Sequence, residues 1–328
     1  MSMRMQDVEE AAVVNGRWQR LAEGVLPSRL TRRLGQIRAF MGRNEKWYTA
    51  PYVSEASPIV VGGCGRSGTT LMRVILDSHK NICCGPESSL LFSGRPLPRR
   101  LSRLGSQFDL PLGLVQQMLK TSSSQARFAE LFFGAYSSAT GKPRWADKTP
   151  SNVRYLDHIF SHFPKAKFIH MIRDGRDTVC SLRTHPRHKI VDGKLVELNT
   201  RNPLDRCMAR WVNDVQAGMA YRGDPRYIEI KYEDLVLNTE MTLKTLFDFL
   251  GEEWDEQVLR FHEVNTASRD VSKFPQNPEA TRPITASALG RWRTQMTSEE
   301  AAVFKRMAGP LLINLGYASD NEWEPSAQ

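Results

Sequence analysis

The octapeptide Gly63-Cys64-Gly65-Arg66-Ser67-Gly68-Thr69-Thr70 lies between two apolar runs, Pro58-Ile59-Val60-Val61 and Leu71-Met72-Arg73-Val74-Ile75-Leu76. The order reads as strand, glycine-rich turn and helix. The spacing Gly63-x4-Gly68 is that of a phosphate-cradling loop, in which backbone N–H groups and a helix N-terminus face an anion. The nucleoside-triphosphate version of such a loop carries lysine at the position of Thr69. Here the cation stands earlier, at Arg66. The group that would reach a γ-phosphate is missing, so ordinary ATP chemistry is disfavoured while phosphate binding is kept.

Downstream, strand-like and helical patterns alternate. Strands are expected at 58–62, 167–172 and 227–231, and helices at 69–79, 151–162, 175–183, 204–221, 239–250, 255–261 and 297–313. The stretch 88–140 is polar or helical, 185–203 reads as a loop, and 265–288 is irregular. Strands separated by helices imply an α/β fold with a P-loop-like parallel sheet flanked by helices. Ligands then bind at the carboxyl ends of the strands.

The 328 residues carry a net charge of +9, which suits an anionic ligand, a nucleic acid or an acidic membrane surface. Its distribution separates these. Arg17, Arg20, Arg29, Arg32, Arg33, Arg38, Arg43 and Lys46 face only Glu23 and Glu45 between Gly16 and Ala50, so this segment holds six of the nine excess charges. A nucleic-acid protein would spread the excess over its folded body with interleaved aromatics, and no nucleic acid is expected. Leu30, Leu34, Ile37 and Phe40/Met41 recur at helical spacing. Residues 1–55 therefore read as a basic helical extension ahead of a single domain over 56–328. The extension either docks on that domain or makes peripheral membrane contact through residues 17–46. No apolar run is long enough to span a membrane, and the N-terminus lacks a secretory apolar core. Cys64, Cys83, Cys84, Cys180 and Cys207 form no metal-binding spacing and read as reduced, buried thiols of a cytoplasmic protein.

A second anion site follows the strand ending at Ile172. Arg173 stands at the strand end, and Ser181 lies two turns into the next helix, within reach of the same ligand. A guanidinium and a hydroxyl beside a helix N-terminus suit a phosphate. The alternative is that Asp174 and Asp177 cap that helix and pair with Arg173 and Arg176. Two anion sites on one sheet edge call for a ligand phosphorylated at two separated places.

These residues together resemble the sulfotransferases that use 3′-phosphoadenylyl sulfate (PAPS), closest to the tyrosylprotein sulfotransferase branch and its bacterial relatives. The resemblance covers Pro58 to Tyr317. It rests on Gly63–Thr70 continuing into Leu71-Met72-Arg73, on Leu76-Asp77-Ser78-His79, Cys84-Gly85-x-Glu87, Asp147-Lys148-x-Pro150, Arg173-Asp174-Gly175-Arg176, and Tyr232-Glu233-Asp234-Leu235-Val236. It implies the sulfotransferase fold, PAPS as donor and no metal. Arg66, Ser67, Gly68, Thr69 and Thr70 would hold the 5′-phosphosulfate, and Arg173 and Ser181 the 3′-phosphate. Tyr232 would touch the adenine side, with core packing as its alternative. Arg291 would reach the donor phosphates, with Arg293 competing for that role.

For catalysis the resemblance implies Glu87 as general base, with Lys148 and Arg66 stabilising the leaving phosphate. Glu87 could instead be a first-turn helix carboxylate, Lys148 a partner of Asp147, and His79 or His170 the base. The acceptor is expected to be a small-molecule or lipid hydroxyl, the alternative being a tyrosine in a peptide or protein. A homodimer is a further expected association. Where the branch has a second glutamate and a Thr-Arg pair around the base, this chain has Pro86, Ser88 and Ser89, with Arg95, Arg99 and Arg100 as substitutes for the lost arginine. A family disulfide to the position of Cys84 is ruled out by Ala146. The rival classes are a P-loop kinase and a nucleotide-binding protein without catalysis.

Overall fold

A computed structural model describes residues 46–185, 187–191, 194–198, 201–268 and 282–326. The basic helical extension expected over 1–55 lies outside the described residues as far as residue 45, as does most of the irregular stretch. Ile59-Val60-Val61 belongs to β1 (Ile59–Gly63), whose five residues are all buried. An uninterrupted apolar run is what a strand covered on both faces requires. Its side chains alternate between two cores. Val60 packs with Phe128, Phe132 and Trp145, whereas Ile59 and Val61 pack with Met72, Ile75 and Phe247 on the other face.

β1 is central in a five-stranded sheet of order β2-β3-β1-β4-β7, with every neighbouring pair parallel. The other members are β2 (Ile82–Cys84), β3 (Arg144–Lys148), β4 (Lys167–Ile172) and β7 (Tyr227–Lys231). Register decides the site. Val61 lies level with Lys148 and with Ile169, Gly63 with Met171, and Ile172 with Lys231. The glycine loop, Lys148, Arg173 and Tyr232 therefore all leave the sheet at its carboxyl edge.

Several elements depart from the sequence reading. β2 lies where no strand is expected, whereas the 88–140 stretch, read as polar or helical, does hold helices over 98–107, 112–121 and 125–140. The helix expected from 151 begins as a 3-10 turn over 150–154 before the α-helix Leu156–His162. Within the expected loop 185–203, β5 (Arg187–Val191) and β6 (Lys194–Leu198) pair antiparallel. Among the described residues no helix is long and apolar enough to cross a membrane.

Candidate functional site

The glycine loop joins β1 to helix α1 (Thr69–Ser78), whose N-cap is Gly68 at φ 86°, ψ 8°. Only glycine takes that left-handed conformation without steric cost. Space adds a second reason: a Cβ on Gly68 would lie 2.5 Å from Cδ2 of Tyr232. Arg66 also has a positive φ, 73°, which turns its exposed side chain across the sheet edge. Its Nε donates to Ser181 Oγ at 3.0 Å. Arg173 Nη1 donates to the Arg66 carbonyl at 3.2 Å. The two anion sites read separately from the sequence are thus one place.

A cleft of about 270 Å³ opens there, lined by Arg66, Gly68, Thr69, Thr70, Arg173, Ser181, Tyr232 and Arg291. Ser67 does not line the cleft: it is fully buried, with its backbone N–H bonded to Cys64 O at 3.2 Å. Arg173 is nearly buried, with its guanidinium 4.7 Å from the centre of the Tyr232 ring. Arg173 Nη2 donates to Ala288 O and stands 3.6 Å from Asp177 Oδ2. The same Asp177 carboxylate accepts from Gly290 N at 2.8 Å and Trp292 N at 2.9 Å. It therefore pins the segment that brings Arg291 to the cleft, instead of capping its own helix. Asp174 does cap that helix, accepting from Arg176 N at 2.8 Å, and pairs with the Arg176 guanidinium at 2.7 Å. Arg293 turns away, its guanidinium 4.7 Å from the Trp292 ring centre.

Lys148 and Glu87 stand beside the cleft and reach it through Thr70. Lys148 Nζ contacts Glu87 Oε1 at 2.5 Å and Thr70 Oγ1 at 3.4 Å. The lysine side chain is 3% exposed and the glutamate 51%. Burial pulls the Lys148 pKa down, while the charge of Glu87 and its hydrogen bond oppose that shift. A lysine held this way is a cation that gains strongly from a new anionic partner. Asp147 is not its partner; that carboxylate faces Ser88 and Asn152.

The two histidines have structural places. His79 Nε2 meets Glu253 O at 3.0 Å, and its ring stacks on Phe247 with centres 4.9 Å apart. His170 is fully buried, 2.6 Å from Tyr227 Oη, and burial lowers its pKa to about 4. Tyr227 gives its only proton to Glu229 Oε1 at 2.9 Å, so the tautomer with hydrogen on His170 Nδ1 is required. All five cysteines are free and buried, and Cys84 is level with Ala146 across the β2–β3 pair. Sequence reasoning missed Arg282, Ile284, Thr285 and Ser287, which also line the cleft. They come from a stretch with no periodicity, and nothing in the sequence marks them.

The sulfotransferase family profile matches residues 58–256. The chain is 29% identical over 299 residues to protein-tyrosine sulfotransferase A of Caenorhabditis elegans, covering 87% of this chain and 71% of the relative. It is 28% identical over 287 residues to the protein-tyrosine sulfotransferase of Drosophila melanogaster, covering 84% of this chain and 54% of that relative's length. Among solved structures, the sulfotransferase domain from the curacin biosynthetic pathway superposes with a TM-score of 0.57 at 20% identity, covering 78% of this chain and 97% of that one. A mouse sulfotransferase complexed with PAP superposes with a TM-score of 0.50 at 14% identity, covering 83% and 91%. The profile match spans more than half of the sequence and contains the glycine loop, Glu87, Lys148, Arg173 and Tyr232: the chain belongs to the sulfotransferase family.

Proposed function

We propose that this chain transfers a sulfuryl group from PAPS to a hydroxyl, with Glu87 as general base. The observation that carries the reading is the continuity from Arg173 and Ser181, through Arg66 and Thr70, to the Lys148–Glu87 pair. One end of that line suits a 3′-phosphate and the other a phosphosulfate. The mouse relative's complex with PAP supports the same donor. In the transfer, the acceptor oxygen attacks sulfur as Glu87 takes its proton, and the bond from sulfur to the bridging phosphate oxygen breaks. Lys148 and Arg66 neutralise the charge developing on that oxygen, and the N–H groups at the start of α1 hold the phosphate. Lys148 shifting from Glu87 to the phosphosulfate would free the carboxylate for its proton.

The acceptor we favour is a tyrosine in a protein or peptide, in place of the small-molecule or lipid hydroxyl expected from the sequence. The names of the relatives support it. So does Arg100, whose Nη2 donates to Ser88 O at 3.0 Å and so stands beside the base. The proposal includes a cytoplasmic location, supported by the five free cysteines.

The test is transfer of labelled sulfate from PAPS to tyrosine peptides, simple phenols and lipid alcohols. The expected result is labelled peptide, with Glu87→Gln lowering turnover by about 10²–10⁴-fold at unchanged affinity for adenosine 3′,5′-bisphosphate. Normal turnover by Glu87→Gln refutes the base. Nucleotide binding without transfer to any acceptor would favour a binding protein, and Mg²⁺-dependent transfer from ATP a kinase.

A further inference from the structure

Residues 87–89 follow the short strand β2 and belong to no regular element. Yet this segment carries the proposed base, which must stay within contact distance of Lys148 on another strand. Three contacts fasten it to residues 147–149. Beside the Glu87–Lys148 pair at 2.5 Å, Ser88 Oγ donates to Asp147 Oδ1 at 2.7 Å, and Ser89 N donates to Thr149 Oγ1 at 3.1 Å. Ser88 Oγ also accepts from Leu90 N at 3.0 Å, which leaves its single proton for Asp147. The other Asp147 oxygen accepts from Asn152 Nδ2 at 2.9 Å, and the same amide reaches Val61 O of β1 at 3.3 Å. The fastening is thereby rooted in the central strand.

Two features say that this arrangement is held against a cost. Ser89 has φ +54° and is one of three non-glycine residues with positive φ among those described, Arg66 being another. Backbone strain in a left-handed serine persists only where the surroundings enforce it. Asp147 is 1% exposed, and burial raises its pKa against the pull of its hydrogen-bond donors and Lys148. A carboxylate in that environment is a poor choice for stability alone.

We propose that Ser88, Asp147 and Thr149 are positioning residues that clamp the 87–89 segment to the end of β3 and so set the geometry of the Glu87–Lys148 pair. None of the three lines the cleft, and they act through those two side chains. The inference rests on the reading of Glu87 and Lys148 as base and electrophile.

The test compares Ser88→Ala, Ser88→Thr and Thr149→Val with the parent in sulfate transfer, binding of adenosine 3′,5′-bisphosphate, and titration of Lys148 followed by NMR of 15N-lysine-labelled protein. Loosening a catalytic pair by an ångström costs about 10²-fold in rate. Ser88→Ala is expected to lower kcat by about 10–100-fold and to leave bisphosphate affinity within about twofold. Lys148 should titrate lower than in the parent, because it loses the carboxylate that opposes the effect of burial. Ser88→Thr, which restores the hydroxyl, should recover rate and titration. If Ser88→Ala fails to fold, Thr149→Val carries the test, since it removes the acceptor of Ser89 N at nearly constant volume. Parent kcat and Lys148 titration in a folded Ser88→Ala or Thr149→Val overturn the clamp. Failure of the underlying reading looks different: Glu87→Gln then turns over normally, while the Lys148 titration still reports whether Ser88 holds the pair.

Discussion

Replacing Gly68 with alanine perturbs two things whose magnitudes separate. The native φ of 86° puts any L-residue in the left-handed region, at a cost of about 1–2 kcal/mol. The new methyl would also sit 2.5 Å from Tyr232 Cδ2, an overlap that the ring must relieve by moving, at about 1–3 kcal/mol. Gly68→Ala should therefore lose about 2–5 kcal/mol in urea unfolding, the sum of those two contributions. In a Tyr232→Ala background the overlap vanishes and only the backbone part, about 1–2 kcal/mol, remains. The coupling measured by the double-mutant cycle should be about 1–3 kcal/mol. Nucleotide binding supplies a second readout. The displaced ring is the one beneath the Arg173 guanidinium at 4.7 Å. Losing a cation–π contact of about 1–2 kcal/mol weakens adenosine 3′,5′-bisphosphate by about tenfold in calorimetry. Equal costs for Gly68→Ala in both backgrounds would refute the argument that Tyr232 and Gly68 are matched to each other.

Other perturbations discriminate between residues that look alike in sequence. Arg173→Ala should weaken adenosine 3′,5′-bisphosphate by about 30-fold or more in calorimetry, the effect of losing a desolvated charge-assisted pair. Arg291→Ala should weaken it as well, whereas Arg293→Ala, whose side chain stacks on Trp292, should stay within about twofold, because a group outside the cleft makes no phosphate contact. His170, with its pKa lowered to about 4, is neutral when folded and takes a proton more readily when unfolded. Stability is therefore lost as pH falls from the unfolded value near 6.5 towards 4, by about 3 kcal/mol over that whole window. Urea unfolding at pH 7 and pH 4.5 should show a smaller difference in His170→Gln than in the parent, and an unchanged difference would place the titration elsewhere.

What the sequence discloses and what it hides divide along a physical line. The glycine loop is legible because an anion cradle is made of backbone geometry, and backbone geometry writes itself as glycine at Gly63 and Gly68 and as an apolar run on either side. Arg173 and Ser181 are legible because the carboxyl edge of a parallel sheet is where ligands bind, and the strand ending at Ile172 points to it. β3 escapes because its carboxyl half is Asp147-Lys148, charged residues that propensity assigns to a loop. Register alone, Val61 level with Lys148, makes them interior. The β5–β6 hairpin is a different kind of miss. Asp192-Gly193 between two alternating segments is a recognised hairpin signal, but the surrounding charges make the stretch read as a loop. Asp177 shows the deepest limit. Its place near a helix start suggests a cap, yet its oxygens bind Gly290 and Trp292 more than a hundred positions away. Through them it holds Arg291 at the cleft and stands beside Arg173. A buried carboxylate that accepts two backbone N–H groups orders a segment with no periodicity of its own, which is why that segment could be irregular in pattern and still form one wall of the cleft.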